Sequence, residues 1–174
     1  MRTVLILLLL FSSALCQQIF YLMPKEGAKA EAAIIREIGR AKSAIVLTMY
    51  SFTNGNIAKA LKDAAKRGVK IVIVVDEKTE LSGQKNARAG EMAKIKGVVV
   101  RLARGDRAKS GEYYGIMHLK VAIIDERLSI YGSANWTASA FNINHEIVFI
   151  DDSEKLAREL LKSLEPLIKS SREF

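Results

Sequence analysis

Cysteine occurs once in the 174 residues, at Cys16, and histidine twice, at His118 and His145. A lone cysteine closes no intrachain disulfide, and these residues lack the clustered spacing of a zinc or iron–sulfur site. A disulfide-stapled fold is therefore excluded, and no metal is expected. Proline appears only twice, and no Pro-, Gly- or Ser-rich stretch marks a linker. The longest unbroken apolar run, Val4 to Phe11, has eight residues, too few for a helix to cross a bilayer. Acidic residues are the scarcer charge, 19 against 27 Lys and Arg, for a formal charge of +8.

The apolar run follows Arg2 and leads through Ser12, Ser13 and Ala14 to Cys16. A basic start, a short apolar core and small residues read as a secretory signal peptide over 1–16, cut before Gln17. The expected location is secreted or periplasmic, with possible membrane association. A lipid anchor on Cys16 is the lesser alternative, because Leu15 is bulky where lipoprotein signals prefer a small residue. Removing the segment takes away Arg2 alone, so the balance stays basic at +7 (26 minus 19). Such a charge suits a polyanionic partner, either nucleic acid or an anionic membrane surface, without choosing between them.

Residues 17–174 have one domain's length. Ile19 to Met23 reads as a strand ended by Pro24, and Glu26 to Lys42 as a helix through Ala30, Ala33, Ile34 and Ile38. Ser43 to Phe52 is β-rich. Thr53 or Asn54 is placed to cap a helix from Asn56 to Arg67, closed by Gly68. Val69 to Val75 reads as a strand buried on both faces. A weaker helical pattern covers Lys85 to Lys96, followed by a strand from Val98 to Ala103. Glu146 to Ile150 is a further strand, and Asp151 to Lys169 a final amphipathic helix capped by Asp152 or Ser153. The expected fold is α/β, a mostly parallel, mixed sheet with helices on both faces.

The chemistry concentrates between Met117 and Asn135. His118 and Lys120 are two apart in an apolar run, so a strand projects them from one face while Leu119, Val121 and Ile123 point to the other. Asp125, Glu126 and Arg127 make a turn, for which turn chemistry alone would choose Asp125. Beyond it, Gly132 precedes Ser133 and Asn135, which share a face. A hairpin brings the two pairs together. An imidazole attacks phosphorus or shuttles a proton, an ammonium neutralises a phosphoryl oxygen, and hydroxyl and amide donate further hydrogen bonds.

This spacing resembles the HKD signature of the phospholipase D superfamily, with His118, Lys120, Asp125, Gly132, Ser133 and Asn135 all matching. The single copy in a short chain is similar to the secreted bacterial endonuclease branch. That resemblance implies a phospholipase D-like fold, no cofactor and metal-independent phosphodiester cleavage through a phosphohistidine. It also implies a homodimer, because two imidazoles are needed and the motif supplies one. Glu146, after Asn144 and His145, is carried over as the carboxylate that orients His118; His145 lies outside the pattern. Asp125 and Gly132 are assigned structural roles.

Arg101, Arg104, Arg107 and Lys109 precede Tyr113 and Tyr114 on a stretch expected to be a mobile loop. Basic groups meet phosphates and rings stack on bases, so these six are candidate nucleic-acid contacts. Asp76 and Glu77, at a strand end, read as a helix start or surface pair. The expected function is a DNA-cleaving endonuclease, with RNA as a second candidate substrate. The alternatives are a phospholipid hydrolase of phospholipase D or cardiolipin type, which calls for an apolar rim beside the site, and a nucleic-acid-binding protein without turnover.

Overall fold

The computed structural model describes residues 17–83 and 87–174. The expected signal peptide and the first two residues of the expected helix at 85–96 lie outside the described residues.

Strand β1 (Gln18–Met23) leads into helix α1 (Gly27–Arg40), whose Ala30, Ala33, Ile34 and Ile38 recur at helical spacing and are buried together. Next come β2 (Ala44–Met49) and α2 (Gly55–Lys66). Asn54 is the cap that begins α2, its Oδ1 accepting the Ile57 N–H at 3.0 Å, and Gly68 closes the turn with φ +94°. Strand β3 (Lys70–Asp76) runs directly into a short helix, α3 (Glu77–Leu81), capped by Asp76. The expected helix over 85–96 shrinks to α4 (Ala89–Met92). Gly90 lies inside it and Gly97 follows it, and glycine disfavours longer helical propagation.

Strand β4 (Val98–Ala103) is followed by a long non-helical segment, then by β5 (Lys120–Ile124), β6 (Leu128–Gly132), α5 (Ala138–Asn142) and β7 (Glu146–Asp151). Helix α6 (Glu154–Ser170) begins at Ser153, whose Oγ accepts the Leu156 N–H, and β8 (Arg172–Glu173) ends the chain.

One eight-stranded sheet is formed, in the order β1-β7-β6-β5-β2-β3-β4-β8. It is mixed and helix-flanked as expected, but among the described residues parallel strand pairing is confined to β2·β3 and β3·β4. The other pairings are antiparallel. The reason is the connections: α2 and the segment around α4 return the chain in parallel beside the strand it left, while a tight turn joins β5 to β6.

Alternation divides the strands between two faces. Ile45, Leu47, Ile71, Ile73, Ala122, Ile124, Ile130 and Val148 pack with α1, α2, α4 and α5 in the main core. The opposite face is served by α6, whose Ala157 and Leu164 cluster with Ile123 and Val121. Both faces of β5 therefore pack. The expectation of one packed and one chemical face is corrected: chemistry is left to the strand's open end, where β2, β3 and β4 finish and β5 and β7 begin.

Candidate active site

His118 lies just before β5 and is exposed, so it stands at the mouth of the sheet rather than on a strand face. Its segment is fixed from two sides. The Tyr50 N–H donates to the Leu119 carbonyl at 3.1 Å, continuing the β2·β5 ladder, and the Met117 N–H donates to Asp76 Oδ2 at 2.9 Å. The other oxygen of the buried Asp76 accepts the Thr79 N–H at 2.8 Å. One carboxylate thus ties the start of α3 to the approach to His118.

Lys120 follows at the first position of β5 and is only 6 % exposed. Its Nζ donates to the His118 carbonyl at 2.7 Å and lies 5.2 Å from the centre of the Tyr50 ring. Burial pushes the Lys120 ammonium below the ordinary lysine pKa, and the Glu146 carboxylate pulls it partly back. The Tyr50 ring meets His118 edge to face, with centroids 4.7 Å apart. Sequence reasoning missed Tyr50, because only the β2·β5 pairing, which spans some seventy positions, brings it to the motif.

The far end of the hairpin supplies the other motif residues. Gly132 has φ +155°, and a Cβ there would lie 2.0 Å from the Ile147 carbonyl oxygen. Only glycine lets β6 approach β7 so closely. Ser133 then donates from Oγ to Glu146 Oε2, while the Ile147 N–H donates to Ser133 Oγ at 3.1 Å. Asn135 accepts the Ser51 N–H on Oδ1 at 3.2 Å, so its amide nitrogen keeps two donors. Its backbone neighbour Trp136 takes the Thr53 and Asn54 N–H groups on its carbonyl oxygen, which pins this loop to the end of β2.

Glu146 was expected to orient His118. In this chain it is held by Ser133, with Asn144 Nδ2 at 3.5 Å, and the group against the imidazole is Tyr50. Asp125 has the structural part assigned to it. Its carboxylate accepts the N–H groups of Lys42, Ser43 and Ala44 and the Ser43 hydroxyl at 2.8–3.0 Å, at the opposite end of the hairpin. Burial acts to raise its pKa, but those donors outweigh it and hold the carboxyl below the usual range.

The basic stretch is an ordered ribbon rather than a mobile loop. Gly105 N–H donates to Gly115 O, Gly115 N–H to Asp106 O, and Ala108 N–H to Tyr113 O, at 2.8–2.9 Å. Its cations are not equally available. Arg101, on β4, is committed to Ser171 through Nε and Nη2, and Arg107 donates twice to the Gly111 carbonyl. Arg104 pairs with Glu77 at 2.7 Å and stacks over Tyr114, 4.6 Å from the ring centre. Lys109, Tyr113 and Tyr114 are exposed, Tyr113 at 66 %. Arg101 is therefore a structural residue, and the expected contact set loses it.

The family described as "Cardiolipin synthase, PLD-like domain" matches residues 34–168. The structure of NucT from Helicobacter pylori superposes with a TM-score of 0.87 at 33% identity, covering 91% of this chain and 99% of that one. Phospholipase D of Rickettsia felis is 35% identical over 130 residues, 75% of this chain and 60% of that protein. Human mitochondrial cardiolipin hydrolase is 27% identical over 139 residues, 80% of this chain and 51% of that protein. The chain thus spans about half the length of the curated relatives it matches.

Proposed function

The chain belongs to the phospholipase D-like family, whose members are phosphodiesterases, and from that premise we propose that it is a metal-independent endonuclease. The observation that carries the choice of substrate is the ordered ribbon before His118, which offers guanidinium groups and exposed tyrosine rings to a strand of nucleic acid. The whole-length match to NucT, against partial matches to the lipid-named relatives, supports the same reading.

In this mechanism one neutral His118 attacks phosphorus and forms an N–P bond. The P–O bond to the leaving group breaks as a second, protonated imidazole gives that oxygen its proton. Water then opens the phosphohistidine, with the now neutral second imidazole as base. Lys120 and the Asn135 amide bind the non-bridging oxygens. Ser133, fixed by Glu146, adds a polar contact, and Glu146 sustains the charge on Lys120.

Because each chain brings one motif, the second imidazole comes from a second copy. The sheet face beyond α6 suits that role. There β1 presents Phe20 and Leu22, 56 % and 50 % exposed, beside the neighbouring Phe149 and Tyr131 rings. No charged side chain lies within 18–23 or 147–150, so two basic chains can meet there without bringing like charges together. An exported location rests on the sequence of residues 1–16.

A second reading, a phospholipid hydrolase, has one specific observation in its favour. Ile116 and Leu119 flank His118 and are exposed, which gives the site an apolar rim; Met117, between them, is buried. The deciding experiment is cleavage of labelled single-stranded DNA in excess EDTA beside hydrolysis of cardiolipin vesicles, each with His118→Ala as control. DNA cleavage lost in the variant supports the nuclease. Vesicle hydrolysis without DNA cleavage overturns it.

A further inference from the structure

Beside the catalytic mouth, between the ribbon and the end of α6, is a cleft of about 390 Å³ lined by Glu77, Arg104, Arg107, Tyr114 and Arg172 among others. Its volume is in the range that holds a small organic ligand. Glu77 is mostly buried and grips two guanidinium groups at once: Arg104 Nε lies 2.7 Å from Oε2 and Arg172 Nε 2.6 Å from Oε1. Both are held at Nε, and although Arg172 Nη1 also reaches the Glu173 carbonyl at 3.5 Å, Arg172 Nη2 and the terminal nitrogens of Arg104 remain as donors of the kind that recognises phosphate. Tyr114 backs Arg104 from its other side.

Such a clamp aligns two cations before any ligand arrives, which lowers the ordering cost of binding. The charges among these residues leave an excess for an anion, since Arg104, Arg107 and Arg172 face Glu77 and the neighbouring Asp106. The cleft is also tied to the reacting centre. Asp76, the residue before Glu77, accepts the Met117 N–H next to His118, and Tyr114 precedes His118 by four residues, at most ~14 Å of extended chain.

We propose that this cleft is a second phosphate subsite, which holds a non-reacting phosphodiester of a nucleic-acid strand whose scissile phosphorus lies at His118. The inference rests on the nuclease reading above and deepens it. A small diester fills only the catalytic mouth, whereas a strand reaches both places, so the subsite makes the enzyme select polymers. Tyr113, exposed on the same ribbon, offers a ring to a base of that strand.

The test compares the full chain with Arg104→Ala and Arg172→Ala. Affinity for a labelled single-stranded oligonucleotide is measured across a salt series in the His118→Ala background. In parallel, kcat/KM is measured for the same oligonucleotide and for bis(p-nitrophenyl) phosphate with His118 intact. Each substitution is expected to weaken oligonucleotide binding about tenfold and to reduce the salt slope by about one. The ratio of kcat/KM values should shift toward the small diester by a similar factor. Wild-type affinity and slope in both variants, with the parent cleaving DNA, overturns the subsite alone. Equal losses on both substrates also overturn it, since they mark damage to the catalytic mouth. A parent that hydrolyses cardiolipin vesicles and neither binds nor cleaves nucleic acid overturns the subsite and the nuclease reading together.

Discussion

The ring of Tyr50 meets the imidazole of His118 at 62°, with centroids 4.7 Å apart, and the same ring lies 5.2 Å from Lys120 Nζ. One side chain from β2 therefore touches both residues that give the motif its chemistry. The ring acts through shape and its π face, and no hydroxyl contact to either residue is part of this geometry.

Tyr50→Phe is accordingly expected to keep kcat within about twofold, while Tyr50→Ala lowers it about fivefold, the loss an edge-to-face contact of ~1 kcal/mol implies. KM should move less than kcat, because the ring orients the nucleophile. Steady-state kinetics on the two variants check this, and an inactive Tyr50→Phe would show that the hydroxyl matters after all.

Lys120 sets the alkaline limit. Its ammonium is already below the ordinary lysine pKa through burial, so activity should fall at lower pH than an exposed lysine would allow. Glu146 opposes that shift, raising the pKa. Removing its charge in Glu146→Gln should therefore move the alkaline limb of the kcat/KM profile to lower pH. An unchanged limb would mean that another group governs it.

Asp125 should matter to stability and not to catalysis. Asp125→Ala strips the acceptor from three backbone N–H groups and a hydroxyl, at an expected cost of roughly 2 kcal/mol. The carboxyl is held below its ordinary pKa in the fold, so its contribution is present above the unfolded-state value and is lost as pH falls through the folded one. Urea unfolding at neutral and acid pH should show a parent-to-variant gap that closes in acid. At temperatures where the variant stays folded, its kcat should be close to the parent's.

How much of this was legible in the sequence depends on the range over which each residue acts. Asn54, Ser153 and the hairpin turn at Asp125 work within a few residues; the turn is legible directly, and each cap is narrowed to a pair, Thr53 or Asn54 and Asp152 or Ser153. The motif from His118 to Asn135 was legible because a hairpin is local. Tyr50 and the Glu77 clamp were hidden, since sheet order alone places β2 beside β5 and β8 beside β4. The excess of expected parallel pairing has the same origin. Strand pattern records burial and leaves direction to the connections.

The last expectation concerns the second imidazole. If two copies of His118 serve one phosphorus, a dimer that carries one His118→Ala chain has lost either its nucleophile or its acid and should be inactive. Mixing parent and variant in equal amounts, then allowing exchange, leaves parent pairs as about one quarter of all dimers by random association. DNA cleavage should then drop to about a quarter of that of the same total of parent chain, where independent subunits would keep about half. Phe20→Asp, which places charge on the uncovered face of β1, should abolish both the dimer in sedimentation and the cleavage. A Phe20→Asp monomer that cleaves at the parent's rate would show that one chain completes the reaction with its own residues.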